Sequence, residues 1–391
     1  MPTCRSASLL GLALAAPLGA QHSDPTPDGV APGEVLVPSA TPAPGFHYEL
    51  RAQNALKILD LNGREVRTWG RPQPGWVFAE LAKPLSYGSV LAIAVDPTTS
   101  GLGTHKKVVE VDWSGNLVWE FDPFLLGRKP HHDFQRLPNG NTIIVTDEIT
   151  TIPYLGPEWV RDDVVMEVDV AGNVVWEWSS IAHMPQMPIS AAGWASRRGG
   201  SPPYTFFHMN SVQVLPPNKW ASVDPRFAPG NVMVSYRELN LVAIIDRASG
   251  DIVWYLHNQT VGQHHPRMIA QDLRGAGNIL IFDNGGNAGA PRGPYRPFSR
   301  VIEINPVTGQ TVWSYQCSSA SSCRPEFFAP FTSGAQRLTN GNTLITDSQT
   351  GRIFEVDTAG AVIWERIQSG WVYRGYRFDL RWPSGPISFG W

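Results

Sequence analysis

One short pattern returns six times along this 391-residue chain, and few folds can accommodate it. A few β-formers lead to an Asp or Asn, a Gly follows three or four residues later, and an apolar stretch then carries a Trp. The copies end on Trp69, Trp119, Trp176, Trp254, Trp313 and Trp364, after turns at Asp60/Gly63, Asp112/Gly115, Asp169/Gly172, Asp246/Gly250, Asn305/Gly309 and Asp357/Gly360. Each copy reads as a β-hairpin, with Asp or Asn and a positive-φ Gly at the turn and Trp on the returning strand, packed between layers. Successive Trp residues lie 50 to 78 positions apart, the room a four-stranded blade occupies. Gly-Asn turns at Gly140-Asn141, Gly230-Asn231, Gly277-Asn278 and Gly341-Asn342 announce further strands ahead of the hairpins. No segment holds a 3.6-residue apolar period, so helix should be scarce. The sequence therefore predicts an all-β, six-bladed β-propeller of four-stranded antiparallel blades, with the ring closed by pairing residues 34–37 with a last strand near 371–378.

Residues 1–20 read as a secretory signal peptide, with Arg5 in the n-region, an apolar stretch over 9–17 and Ala20 at the cleavage site. Residues 21–33, with Pro25, Pro27 and Pro32, read as an exposed Pro-rich tail, and 34–391 as a single propeller domain, since dividing the chain would cut the ring. A periplasmic or secreted location follows. There Cys317 and Cys323 would be oxidised to a local loop staple, while Cys4 leaves with the signal. A net charge of -3 argues against a nucleic-acid partner, and the longest apolar runs of the mature chain are too short to span a membrane.

Propeller sites form where inner strands converge on the axis, and residues just ahead of those strands point there. The histidines collect at those places: His131 and His132 before Asp133, His208 before Asn210, and His264 and His265 after Gln263, each ahead of a Gly-Asn turn. The matching segment of the last blade, 332–337, carries no histidine. Three blades thus offer imidazole from one topological level, with Arg237 at the end of the strand that follows His208.

These segments resemble the bacterial arylsulfate sulfotransferases that do not use the adenylyl sulfate donor. The resemblance runs from Leu56 to Trp364, and rests most on His131-His132-Asp133, His208-Met209-Asn210-Ser211, Val234-Ser235-Tyr236-Arg237, Gln263-His264-His265-Pro266, Phe282-Asp283-Asn284-Gly285 and the 333–338 segment. It implies ping-pong transfer of a sulfuryl group from a phenolic sulfate ester to a phenol through a sulfohistidine. The nucleophile would be His264, with His132, His208, Asn210 and the anion-binding Arg237 around it. Because His131/His132 and His264/His265 are doublets, either member of each could be the functional one.

The residue types suit that chemistry independently. A neutral imidazole can attack sulfur in line, a guanidinium and an amide can hold the sulfuryl oxygens, and a protonated histidine can give its proton to the phenolate. No cofactor or metal is expected: the chain lacks a Gly-x-x-x-x-Gly-Lys-Ser/Thr phosphate loop, His-Glu-x-x-His and Cys-x-x-Cys. The partners expected are an aryl sulfate donor and a phenolic acceptor. Three readings stay open beside this one: a three-histidine metal site, a binding or scaffold propeller without chemistry, and a hydrolase that hands the sulfuryl group to water. The aromatics Trp194, Phe207 and Tyr236 are candidates to sandwich a phenol ring, though each is individually more typical of a core.

Overall fold

The computed structural model describes residues 34–40, 52–85, 88–152, 156–196, 203–286, 295–316, 327–368 and 370–378. The signal and tail segments and both late cysteines lie outside the described residues. Sheets dominate. Among the described residues the single α-helix, Ala191–Ala195, is five residues long, and the remaining helical turns are 3-10.

Three sheets are plain four-stranded antiparallel meanders in chain order; one takes Met209–Val214, Val232–Tyr236, Leu241–Ile245 and Ile252–His257. A fourth has the same four-strand order with Tyr204–Thr205 added in parallel to its long third strand, Gly156–Val168. The chain is thus an all-β propeller of four-stranded antiparallel blades. The count of separate sheets differs from expectation: five are present where six were predicted, because the first has eight strands. That sheet consists of two four-strand sets fused by only two residue pairs, Ala52↔Ala79 and Gln53↔Phe78. The predicted closure is present: Glu34 pairs with Phe378, Val35 with Arg377 and Leu36 with Tyr376, so the first described strand shares a sheet with the last.

The repeated hairpin explains itself at atomic level. At the second copy the Asp112 carboxylate accepts the Asn116 N–H at 2.8 Å, Gly115 donates its own N–H to the Asp112 carbonyl, and Gly115 takes φ +93°, which a side chain would oppose. The Trp does more than fill space. Its indole N–H crosses to the next hairpin turn: Trp69 to the Asp112 carbonyl (2.9 Å), Trp119 to Val170 (3.2 Å), Trp176 to Arg247 (3.2 Å), Trp254 to Pro306 (2.9 Å), Trp313 to Thr358 (3.2 Å) and Trp364 back to Leu61 (3.0 Å). Every repeat therefore bonds its successor, and the last bonds the first. Trp254 is nearly buried, so Trp254→Phe leaves the Pro306 carbonyl without its donor while keeping most of the apolar contact. We expect a loss of about 1–2 kcal/mol in urea unfolding; an unchanged midpoint would show that the bond carries no stability.

Candidate functional site

Five non-glycine residues with left-handed backbones mark the site. Glu80, His132, His208, His265 and Thr332 have φ of 52°, 58°, 55°, 54° and 57°. All lie in, or one or two residues ahead of, the inner strands Val77–Pro84, Lys129–Arg136, Met209–Val214, His264–Met268 and Gly334–Arg337. In four of these strands the pairing register slips beside the left-handed residue. Such backbones cost roughly 1–2 kcal/mol each for an L-residue, and they concentrate where a site requires side chains to be turned off the strand. Glu80 and Thr332 share the histidines' backbone position but carry no imidazole, so a search for histidines passes over them. His265, rather than His264, is the backbone equivalent of His132 and His208.

The doublets separate their members. His264 is buried, and its Nδ1 faces two acceptors, the Gly262 carbonyl at 2.9 Å and Asn284 Oδ1 at 2.8 Å. Nδ1 therefore carries the proton, and the Nε2 lone pair accepts the Thr332 N–H at 3.1 Å. Asn284 is itself fixed, donating to the carbonyls of Ala329 and Thr332. Burial, then the Arg237 charge, hold His264 well below the usual histidine range against the opposing pull of Asn284, so the ring is neutral. His265 looks elsewhere. Its Nδ1 meets the Ala335 carbonyl at 3.1 Å, its ring lies 5.9 Å from that of Tyr376, and burial followed by Arg374, Arg267 and Lys83 keeps it neutral too.

The preceding residues hold His264 in place. Gln263 donates to Ser235 Oγ and to the carbonyls of Tyr236 and Leu241, tying the start of one inner strand to the adjacent sheet. Asn210 donates to the Gln263 carbonyl at 2.8 Å, and its Oδ1 is buried without a partner. Asn210 thus supports the peptide ahead of His264.

His208 and His132 stack edge to face with ring centroids 4.7 Å apart. Burial lowers both, reinforced at His208 by His132 and Arg237, and at His132, held at about 3, by the charge on His131. The residue types suggest His208 as the proton-donating histidine; burial lowers it, and the histidine whose pKa is raised is His131. Its burial is outweighed by Asp163, whose Oδ1 lies 3.3 Å from Nε2, with help from Asp147 and Glu80, and its pKa is raised. Arg237 is only slightly exposed, donates to Glu238 at 2.5 Å, and is tied through its main-chain N–H to the His208 carbonyl. Trp194, Phe207 and Tyr236 are all packed inside one hydrophobic cluster, so none of them offers a ring face to a ligand. Beneath the site Asp133, fully buried, binds Lys83 at 2.7 Å and Arg267 at 2.6 Å, with Arg374 at 3.8 Å. Among the described residues no group of three or more His, Cys, Asp or Glu is arranged to hold a metal ion.

Solved structures align with most of this chain. A protein of unknown function from Bacteroides caccae aligns over 88% of this chain and 98% of its own, with a TM-score of 0.52 at 15% identity. Virginiamycin B lyase from Staphylococcus aureus aligns over 82% and 78% with a TM-score of 0.41 at 12% identity. At 15% identity the first of these likenesses extends to the fold alone. No curated protein matches the chain. Residues 82–370, well over half the sequence and including every histidine of the site, match the family described as Arylsulfotransferase (ASST), and the chain belongs to that family.

Proposed function

We propose that this chain, an exported six-bladed propeller once the fused sheet is counted as two blades, moves a sulfuryl group from a phenolic sulfate ester to a phenol, with His264 carrying the group between the two halves of the reaction. The observation that carries the reading is the state of His264: a neutral ring, its Nδ1–H held by two oxygens, its Nε2 lone pair contacted by a single main-chain N–H.

In the first half, Nε2 attacks sulfur and the bond from sulfur to the phenolic oxygen breaks. Positive charge grows on the ring and is met by Gly262 and Asn284 at Nδ1, while the Thr332 N–H, displaced from the lone pair, becomes free to donate to a sulfuryl oxygen. Arg237, whose charge acts on the His264 ring more strongly than that of Arg374, supplies a guanidinium for the remaining oxygens. In the second half a phenol oxygen attacks the same sulfur, and Nε2 leaves with its lone pair restored.

Incubation of the purified protein with 4-nitrophenyl sulfate, with and without phenol, tests this. Sulfuryl transfer predicts no more than one equivalent of nitrophenolate per protein without phenol, and continued release with formation of phenyl sulfate when phenol is present. Many turnovers without phenol would make the protein a hydrolase, and no release at all would leave a binding propeller.

A further inference from the structure

We propose that Asp163, His131 and His132 form a proton relay that protonates the departing phenolate and recovers the same proton from the acceptor phenol. The inference rests on the sulfuryl-transfer reading and adds a role for the first histidine of the doublet. His131 Nδ1 and His132 Nδ1 are 2.7 Å apart, and His131 Nε2 is 3.3 Å from Asp163 Oδ1. Two ring nitrogens at that distance must share one proton. With His131 doubly protonated, its Nε2–H faces Asp163 and its Nδ1–H is donated to His132, which leaves the His132 proton on Nε2. That Nε2 makes no hydrogen bond among the described residues, and the ring is half-buried beside His208. His132 is gripped at its main chain by Glu80, which accepts its N–H at 2.9 Å, and by the Tyr373 hydroxyl, which donates to its carbonyl at 3.2 Å.

The proton count closes. As the phenolate leaves, His132 Nε2 gives up its proton and His132 Nδ1 takes one from His131, so His131 becomes neutral and keeps its Nε2–H, 3.3 Å from Asp163 Oδ1. His132 is never doubly protonated, which agrees with its low pKa. When the acceptor phenol attacks, its proton enters at His132 Nε2 and the shared proton returns to His131. Sulfuryl group and proton change places between two phenols, and no proton is exchanged with solvent. In this scheme His132 touches the reacting oxygen, and His131 acts through it as a positioning residue.

Leaving-group dependence tests the relay. 4-Nitrophenolate departs without help, whereas phenolate needs a proton. His131→Gln is expected to lower kcat/KM for phenyl sulfate on the order of 10²-fold while costing 4-nitrophenyl sulfate less than about 5-fold. Equal losses on both esters would assign His131 a purely structural role and overturn the relay, as would no loss on either. In the wild type, phenyl sulfate turnover should fall as pH rises through the raised His131 pKa, and 4-nitrophenyl sulfate turnover should lack that limb. The titratable and charged groups facing His131 are Asp163, Asp147 with its partner Arg161, Glu80 with its partner Lys106, and the neutral His132. This profile needs no substitution, so it decides the question even if the variant does not fold. Nitrogen-15 spectra of the wild type give a third reading: a singly protonated His131 at neutral pH overturns the relay. A wild type that transfers from neither ester would sink the transfer reading itself, an outcome distinct from equal losses in the variant.

Discussion

Replacing His264 by asparagine is expected to reduce sulfuryl transfer by roughly 10⁴-fold or more, because removal of a covalent nucleophile forfeits the two-step path. Asparagine is preferred to alanine for this test: its amide can keep a polar group near Gly262 and Asn284, whose present partner is the His264 Nδ1–H. The control is His265→Asn. His265 meets the Ala335 carbonyl and lies among Arg374, Arg267 and Lys83, away from the Thr332 N–H, so its loss should affect stability more than turnover. Mass spectrometry of protein quenched after mixing with 4-nitrophenyl sulfate alone should find the sulfuryl group on the peptide containing residues 264 and 265, and fragmentation should assign it to 264. A fully active His264→Asn protein, paired with an inactive His265→Asn protein, would move the nucleophile by one position.

What could be read from the sequence divides along a physical line. The hairpin repeat was legible because each of its determinants is local: an Asp carboxylate accepting main-chain N–H groups two to four residues on, and a Gly at positive φ. The partner of each Trp was not legible, since the indole bond reaches a carbonyl in the following blade, at Trp364 303 residues away. The fusion of the first two strand sets escaped for a similar reason, because two residue pairs at the edge of a strand leave no periodic trace. At the site, the histidines stood out by type, whereas Thr332 contributes a main-chain N–H that any residue could supply. Asn284 stood inside a recognised segment, yet its role depends on facing His264 from just beyond the end of the neighbouring strand. Protonation states were the least legible. His131 and His132 are buried neighbours of the same type, and only the placement of Asp163 beside His131 and the charge of His131 beside His132 shift them in opposite directions.

The same reasoning predicts the costliest substitution outside the chemistry. Asp133→Asn should destabilise the fold by roughly 3–5 kcal/mol, the range for stripping one partner from a buried ion pair. The upper end is expected, because Asp133 is fully buried and faces three cations, Lys83 at 2.7 Å, Arg267 at 2.6 Å and Arg374 at 3.8 Å, while also accepting from Ser211 Oγ and the Val212 N–H. Asparagine keeps the shape and removes the charge. Burial already pushes Lys83 down to about 7 even with Asp133 present, so Lys83 is the cation able to relieve the excess by losing its proton. Its folded pKa lies below the unfolded value of 10.5, so between about pH 7 and 10 the unfolded chain binds more protons and stability rises with pH. The aspartate, held far below the carboxylate range by Arg267 and Lys83 against the effect of burial, works in the opposite window: its contribution is present above pH 4 and lost on acidification. Denaturant unfolding of Asp133→Asn should therefore show the rise in stability beginning at a lower pH than in the wild type, with a similar slope on the alkaline side, since Lys83 is driven lower still. Adding Lys83→Met should recover part of the loss by removing one unpaired buried charge. Additive losses in that double variant would mean that the two side chains do not interact, and that Asp133 stabilises the ring through its neutral hydrogen bonds alone.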